Sequence, residues 1–280
     1  MGKIFLSVLF SVMILFETAG ANPYENDQNY VYVWRYNYLD LRTVTVQENS
    51  PPYYIIKGDF IYFDTKNSTS TAPRTVTIKF DELAQLTFLN KDGVWKSINV
   101  FGTDSSATSN RKVADVLFKA AFGREFYGEN FTRKANGIDD GVPELATNRI
   151  AIGGIELGAT PERVRSIYGA PSNVRKLYGR DLSYWNGKSG EEWFYGNSFR
   201  LGFIDGHLML AGVTSKNGIK TPDGISVGDG AEKIYRAYGR AAKYAETPEG
   251  KLYAYKNGYN YLSFKLAGDK IISIGIFVEL

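Results

Sequence analysis

Residues 154–169 read GIELGATPERVRSIYG, and residues 224–239 read GISVGDGAEKIYRAYG. The two segments lie seventy positions apart and agree at their first and second glycines, at the isoleucine in second place, at a central Glu-basic pair and at the closing Tyr-Gly. So many matches at one offset indicate an internal repeat and not a chance similarity. The repeat therefore decides the fold that we predict for the second half of the chain.

Each copy of the repeat carries the signals of one short helix. In the first copy, residues 160–162 (TPE) place an N-cap hydroxyl, a proline at the first helical position and an acid in the first turn. Gly169 stands where a glycine ends a helix, as Gly239 does in the second copy, where Asp229 is the expected cap. The expected inner faces of the two helices are formed by Val164, Ile167 and Tyr168 and by Ile234, Ala237 and Tyr238.

Aromatic segments follow each helix and predict antiparallel strands. Asn257-Gly258 lies between two of these segments and is typical of a two-residue hairpin turn, which would pair Lys256 with Tyr259. The predicted unit is one short helix followed by a three- or four-stranded antiparallel sheet, present twice, in the α+β class. The strand segments are residues 193–195, 201–203 and 208–213 in the first copy and residues 253–255, 262–264 and 271–277 in the second.

Two domains are expected: a β-rich domain with one helix at residues 22–148, and the tandem repeat at residues 149–280. Residues 131–148 are rich in Asn, Asp and Gly, which indicates a linker at the end of the first domain. The predicted segments are strands at residues 30–46, 53–64, 74–80, 83–89 and 94–101, a helix at residues 111–122, and repeat copies at about 150–217 and about 218–280.

The first twenty-one residues have the pattern of a cleavable secretory signal peptide. Lys3 gives a positive start, and the apolar run at residues 4–16 is too short to span a bilayer. Small residues lead up to Ala21, after which we expect cleavage. No later segment has the composition of a transmembrane span. We therefore expect a mature bacterial protein that is either secreted or located in the periplasm.

The composition excludes several kinds of chemistry. The sequence contains no cysteine and one histidine, which excludes disulfides, thiol nucleophiles, a lipidated cysteine and metal clusters built from Cys and His. The formal net charge is +3, and basic and acidic residues are spread evenly. Neither nucleic acid nor an anionic membrane is therefore an expected partner. We predict no cofactor and no metal.

Few residues have a pattern that indicates catalysis. His207 follows Asp205-Gly206, a hairpin-turn pattern that explains the histidine without a Ser-His-Asp site. The pair Asp139-Asp140 falls in the expected linker, and Glu191-Glu192 would point to opposite faces of a strand. We predict no catalytic residue, and a carboxylate-dependent envelope hydrolase stays as an alternative.

Alternation of side chains predicts an open face on the repeat sheet. One face would carry the aromatic core beneath the helices, and the other would keep aromatic residues with basic neighbours. Aromatic residues and arginine are enriched where proteins bind partners. The alternative is that these side chains are scattered on the surface or cover part of the N-terminal domain. The partner-binding candidates are Phe194 and Arg200 in the first copy and Lys256, Tyr259 and Tyr261 in the second.

The order Ile-x-x-Gly, capped helix, Tyr-Gly and aromatic strands, as at residues 155–169 and 225–239, resembles the tandem repeat of beta-lactamase inhibitory protein. It is also similar to the small lipoproteins of the outer-membrane assembly machinery, which have one copy. The resemblance covers roughly residues 150–280 and implies a binding scaffold without catalytic residues, which holds its partner with aromatic side chains on a concave sheet. This chain lacks the cysteines of both families, and no segment matches the inhibitory loop. The first domain, through residues 32–41, resembles surface-adhesin domains.

The function expected from the sequence is that of a non-enzymatic exported binding protein. Its tandem-repeat sheet would dock a protein or a cell-envelope component that the sequence does not identify. Two other classes stay open at this point: the hydrolase named above, and a structural or adhesive surface module. Capture of a partner, and its loss when the open face is altered, would distinguish the first class from the other two.

Overall fold

The computed structural model describes residues 22–179, 182–183 and 189–279. The expected signal peptide and its cleavage site after Ala21 lie outside these residues. Within the described part of the chain, no helix is both long and apolar enough to cross a membrane. Two large antiparallel sheets, with helices packed on them, make an α+β fold.

The first half of the chain forms an antiparallel sheet with one helix on it. Its elements are β1 (Tyr30–Trp34), β2 (Asn37–Ser50), β3 (Tyr53–Asp64), β4 (Thr69–Ser70), β5 (Arg74–Asp81), β6 (Leu86–Lys91), β7 (Val94–Ser97) and α1 (Ser105–Phe122). The strands are hydrogen-bonded in the order β1-β2-β3-β5-β6-β7, and β4 pairs with β3. Buried apolar side chains of the strands, including Ile56 and Phe80, pack against Leu117 and Phe118 of α1.

Besides the extension of β2 to Ser50 and the short β4, which was not predicted, the strands of this sheet differ from the predicted ones by more than one residue in three places. The predicted strand over residues 30–46 is broken by a turn at Arg35-Tyr36, where both residues have positive φ. The predicted strands at residues 83–89 and 94–101 are longer than β6 and β7 because residues 82–85 form a turn and the chain leaves the sheet after β7. Turns formed without glycine or proline explain the first two errors.

The helix α1 is longer than predicted. It begins at Ser105 and not at residue 111, because the side chain of Asp104 accepts hydrogen bonds from two amides of the first turn at 2.9 Å. Its predicted end is confirmed: Gly123 takes the left-handed conformation, and its amide donates to the carbonyl of Lys119 at 2.8 Å.

The second half of the chain contributes a continuous eight-stranded sheet. Its elements are a 3-10 turn (Thr147–Arg149), β8 (Ala151–Ile152), β9 (Ile155–Glu156), α2 (Pro161–Tyr168), β10 (Asn173–Lys176), β11 (Gly190–Tyr195), β12 (Phe199–Ile204), β13 (His207–Val213), α3 (Ala231–Tyr238), β14 (Lys243–Thr247), β15 (Gly250–Asn257), β16 (Asn260–Ala267) and β17 (Lys270–Val278). The sheet order is β10-β11-β12-β13-β17-β16-β15-β14, and β8 pairs with β9 separately. The closing strands β13 and β17 pair antiparallel and join the two repeat copies.

The caps of the repeat helices match the prediction in one copy only. Thr160 caps α2, and its hydroxyl accepts a hydrogen bond from a first-turn amide at 3.3 Å. The cap of α3 is Gly230, so the prediction of Asp229 as the cap was wrong. The Asp229 carboxylate instead accepts a hydrogen bond from the amide of Ser226 at 2.9 Å and pairs with Lys233 at 2.7 Å. The tight turn before α3 therefore holds this carboxylate one residue too early to cap the helix.

The hairpin between β15 and β16 has a register different from the predicted one. Lys256 pairs with Tyr261 and not with Tyr259, because the two turn residues are Gly258 and Tyr259. Gly258 has a φ of +55°, and a type II′ turn requires a glycine at this first central position. The register shifts by two residues, so every side chain stays on the predicted face of the sheet.

Residues 131–148 are not a linker, contrary to the prediction. The amide of Asp139 donates to the carbonyl of Ala242 at 2.8 Å, and the amide of Leu145 donates to the carbonyl of Lys256 at 2.9 Å. These bonds to the second repeat copy are non-local, and the local abundance of Asn, Asp and Gly does not reveal them. The two halves of the molecule also share a core, in which Leu83 belongs to one cluster with residues of the eight-stranded sheet.

Candidate binding face

The eight-stranded sheet has one face covered by helices. Val164 of α2 and Ile234 of α3 belong to one hydrophobic core with the large side chains of this face. Strand alternation predicts nine inward side chains: eight are core members, and the ninth, Tyr195, is half-buried and packs against the core. Ile167, expected on the inner face of α2, is exposed. The confirmed core residues are Trp193, Phe199, Leu201, Phe203, Tyr253, Tyr255, Leu262 and Phe264.

We call the opposite side of this sheet the open face. Its centre is a row of small side chains, since cross-strand pairing aligns Gly212 of β13, Gly275 of β17, Ser263 of β16 and Ala254 of β15. Side chains in one such row lie on the same face of a sheet. The four residues therefore form a shallow trough across the middle strands.

A second row of larger side chains borders the trough. Leu210, Phe277, Tyr261 and Lys256 pair in register across β13, β17, β16 and β15. The rings of Phe277 and Tyr261 are stacked, with centroids 5.2 Å apart and an angle of 11° between their planes. Leu210 and Phe277 are half-buried and belong to neither of the two hydrophobic cores. The open face thus has a flat aromatic wall beside a trough that lacks large side chains.

The partner-binding candidates lie at two places around this face. Phe194 and Arg200 pair directly across β11 and β12, and Lys256 and Tyr261 pair across β15 and β16. Strands β11 and β16 are four strand spacings apart in the sheet order, which corresponds to about 19 Å. Tyr259 lies in the turn at the end of the sheet with 75% of its surface exposed. The structure therefore brings together two pairs of candidates and not one compact cluster.

Tyr261 differs from its predicted role. It was expected to project from the open face, but it is only 5% exposed, because Phe277 stacks on its ring and the Lys243 ammonium lies 4.4 Å from the ring centroid. Burial raises the pKa of the Tyr261 phenol above its usual value. Tyr261 therefore forms part of the wall, and a change at this position would disturb the wall itself.

The end of the open face near Arg200 carries an excess of positive charge. Arg200 pairs with Glu192 at 2.5 Å, and Arg175 of the edge strand pairs with the same carboxylate. Glu192 is buried, whereas more than half of each arginine side chain is exposed. Because two guanidinium groups share one carboxylate, one positive charge stays uncompensated beside Phe194.

The other end of the open face is close to neutral. The ammonium of Lys243 pairs with Glu279 at 2.5 Å. The hydrogen bond from Lys243 lowers the pKa of Glu279, and the bond to Glu279 raises the pKa of Lys243 against the effect of burial. Lys256 lies 3.9 Å from Glu144, so its ion pair is loose.

The sequence-based prediction missed Leu210, Phe277 and the two trough glycines. A usable signal was present: Gly212 and Gly275 each stand between two apolar residues in the closing strand of their copy. Because neighbouring strand residues alternate faces, a glycine between two core positions leaves a gap on the opposite face. The same position in both copies therefore indicated a trough.

Of the candidate catalytic groups, Glu192 lies on the open face in its ion pairs with Arg175 and Arg200, and His207, Asp139 and Glu191 have other partners. His207 is the first residue of β13, and its Nδ1 atom is 3.3 Å from the carbonyl oxygen of Gly158. Asp139 is buried and pairs with Arg240 at 2.8 Å, and Glu191 accepts a hydrogen bond from the Trp193 indole at 2.9 Å. Among residues 22–179, 182–183 and 189–279, no three His, Asp or Glu side chains are grouped so that they would hold a metal ion.

No family model matches the sequence, and no curated protein matches it. The solved structures that are similar to parts of the chain include two bacterial proteins. A cysteine-rich secretory protein of Staphylococcus aureus is 12% identical over 44% of each chain with a TM-score of 0.32, so the match spans less than half of that protein. A DUF4309 family protein of Bacillus subtilis is 15% identical, with 43% of this chain and 79% of that chain covered and a TM-score of 0.28. Similarity at this level supports no inference about function.

Proposed function

We propose that this chain is a non-enzymatic exported binding protein whose open face docks a protein partner of the cell envelope. The observation that carries the proposal is the row of small side chains, Gly212, Gly275, Ser263 and Ala254, which runs without interruption from one repeat copy into the other. Gly212 and Gly275 are half-buried, whereas Ser263 and Ala254 are buried, so the part of the row at the two glycines is where the backbone or a protruding side chain of a partner would enter. Neither copy alone contains the whole row, so both copies are needed to build it.

The chemistry beside the trough also favours a protein partner. Leu210 and the stacked Phe277 and Tyr261 offer an apolar surface, and Phe194 offers a second one at the far end. Apolar and aromatic residues at the centre with charged residues at the rim are typical of protein interfaces. The uncompensated charge shared by Arg175 and Arg200 favours a partner with an acidic group at that end.

The order of elements supports the finer proposal that residues 150–280 are a tandem repeat of the beta-lactamase inhibitory protein type. α2 precedes four strands, α3 precedes four strands, and the two sets are joined edge to edge. In that family the open side of such a sheet binds the partner. Export rests on the signal-peptide pattern of residues 1–21 and belongs to the same proposal.

A blocking substitution at Gly212 tests the proposal. A Cβ atom at this position would meet nothing closer than the carbonyl oxygen of Ile274 at 4.0 Å, so Gly212→Arg fits the strand and fills the trough. We expect the free energy of unfolding to change by no more than about 0.5 kcal/mol. Capture of a partner from a cell-envelope extract should fall by at least about tenfold.

Val94→Arg is the matched control. Val94 is exposed in the hairpin between β6 and β7, on the other sheet, and the substitution adds the same side chain. It should leave capture unchanged. Phe194→Ala and Tyr259→Ala then show which end of the open face the partner contacts. Equal recovery of the same partner by the wild type and by Gly212→Arg would contradict the proposed face.

A further inference from the structure

A cleft of about 310 Å³ lies in the N-terminal domain, between α1 and the end of the sheet that carries the turn of β1 and β2. We call it the aromatic cleft. Its lining combines aromatic, hydroxyl and amide groups with one guanidinium and contains no carboxylate. The lining includes Trp34, Asn37, Tyr62, Thr71, Arg74 and Ser109.

Strand register and helix periodicity build this cleft. Trp34 pairs with Asn37, and Asn37 pairs with Tyr62, so the three side chains share one face of the sheet. On α1, Ser109 and Lys112 are three positions apart and lie on neighbouring turns of one helix face. The Lys112 ammonium is 4.9 Å from the centroid of the Trp34 ring. Tyr62 keeps 41% of its surface exposed, so its ring is accessible to a ligand.

The positive charges around the aromatic cleft have no carboxylate partner. Arg35, Arg74 and Lys112 are exposed, and none of them forms an ion pair with a described Asp or Glu. Around the open face, by contrast, Arg175 and Arg200 are held by Glu192. The aromatic cleft is therefore a place where positive charge is available to a ligand.

The turn beside the cleft is built from unfavourable residues. Arg35 and Tyr36 have φ values of 45° and 60°, the left-handed region at both central positions of a two-residue turn. Such turns favour Asn-Gly, and the left-handed conformation costs about 1 kcal/mol or more for each larger residue. The turn places an arginine and an exposed tyrosine next to Trp34 despite this cost. Backbone strain of this kind is frequent at ligand-binding sites.

We propose that the aromatic cleft binds an acidic saccharide, with a sugar ring against Tyr62 and its carboxylate at Arg74. One face of a pyranose ring carries C–H groups and packs on aromatic rings, while its hydroxyls need polar partners. Thr71 and Ser109 supply hydroxyl groups in the lining, and Arg74 supplies a planar pair of donors that suits a carboxylate. The volume is at the lower end of the range for small-molecule sites, which suits one or two sugar rings.

Calorimetric titration of the mature chain with digalacturonic acid, compared with a neutral digalactose, tests this proposal. The acidic disaccharide should bind at least about tenfold more tightly, because a hydrogen-bonded charge contributes that much. Arg74→Gln should weaken binding of the acidic disaccharide about tenfold and abolish the preference over the neutral one. Tyr62→Ala should weaken binding of both sugars.

Arg163→Gln and Tyr178→Ala are the matched controls, since both residues are exposed and lie far along the chain from the cleft. Neither control should change either affinity. Absence of saturable binding by the wild type, or unchanged binding by Arg74→Gln, would overturn the proposal. So would an acidic peptide, such as tetra-aspartate, that binds as tightly as the acidic sugar, because charge alone would then explain the binding. The site is on a different sheet from the open face, so failure here leaves the proposed function standing.

Discussion

The carboxylate of Asp81, at the end of β5, accepts a hydrogen bond from the Tyr253 hydroxyl of the eight-stranded sheet at 3.1 Å. Both residues are fully buried. The Lys251 ammonium lies 3.2 Å from the same carboxylate oxygen, and the amide of Ala84 donates to the other oxygen at 3.0 Å. A buried carboxylate with all these partners joins the N-terminal sheet to the second repeat copy, so the two halves of the molecule should unfold as one unit.

Substitutions in this cluster should separate a lost hydrogen bond from a lost charge. Tyr253→Phe removes one donor and should lower the free energy of unfolding by about 1 kcal/mol. Asp81→Ala removes the charged acceptor of the buried phenol and the counter-charge of the ammonium, and should cost about 3 kcal/mol. Urea unfolding followed by tryptophan fluorescence measures both. Tyr244→Phe, whose hydroxyl contacts the exposed Glu246, is the control and should stay within about 0.5 kcal/mol. Equal losses for Asp81→Ala and Tyr253→Phe would contradict this account.

Gly137 should be indispensable for the packing of residues 131–148. It has a φ of +82°, and a Cβ atom there would lie 2.0 Å from the carbonyl oxygen of Tyr244 on β14. Gly137→Ala should therefore cost about 1 kcal/mol for the left-handed conformation and about 1–3 kcal/mol more for the clash with the backbone. Gly128→Ala is the matched control: its φ is +68°, but its nearest contact is a side-chain oxygen at 3.7 Å. Equal costs in urea unfolding would show that residues 131–148 do not depend on this close approach.

Local signals in the sequence predicted local structure well. The Thr160 hydroxyl caps α2 as its position before Pro161 indicates, and Gly123 and Gly169 end the preceding helices. Alternation predicted the inner face of the eight-stranded sheet even though the turn of one hairpin was misplaced. The register was ambiguous because Gly258 can take either central position of a two-residue turn, in type I′ or type II′ geometry.

Long-range contacts explain what the sequence did not predict. Tyr261 is buried because Phe277 and Lys243, from two other strands, lie against its ring. Residues 131–148 have the composition of a linker, but Arg133 donates hydrogen bonds to the carbonyls of Gly137 and Ala241 and holds them in place. Neither relationship has a local pattern, because Phe277 and Lys243 lie on strands other than that of Tyr261, and Ala241 is 108 residues from Arg133.

Arg133 and Arg240 offer a comparison of a buried and a partly exposed arginine at one carboxylate. Both lie beside Asp139, at 3.9 Å and 2.8 Å, but the Arg133 side chain is fully buried, whereas 28% of the Arg240 side chain is exposed. Arg133→Met removes the donor to the Ala241 carbonyl and one of the two donors to the Gly137 carbonyl, and should cost about 3 kcal/mol or more. Arg240→Met should cost less, about 1–2 kcal/mol, since part of the Arg240 side chain is exposed and Arg133 stays beside the buried Asp139 carboxylate. Urea midpoints measured on both variants check the order, and a larger loss for Arg240→Met would contradict it.

Asp115 on α1 should make stability depend on pH. Burial raises the pKa of its carboxyl, although the amides of Tyr127, Gly128 and Phe126 donate to it and lower the pKa. A folded-state pKa above the unfolded value of about 3.9 means that the folded chain holds this proton more tightly. The contribution to stability is therefore fully present below about pH 3.9 and is lost as the pH rises through the folded pKa.

Asp115→Asn should remove this dependence and keep an oxygen that accepts the amide hydrogen bonds. We expect the stability of Asp115→Asn relative to the wild type to increase as the pH rises from about 4 and to become constant above the folded pKa. Asp115→Ala loses the acceptor as well and should be destabilised at every pH, because the amides of Phe126 and Tyr127 lose their partner. Chemical unfolding at a series of pH values between about 3 and 8 measures the difference. If the stability of Asp115→Asn relative to the wild type instead decreased as the pH rises, the hydrogen bonds would outweigh burial and folding would lower the pKa of Asp115.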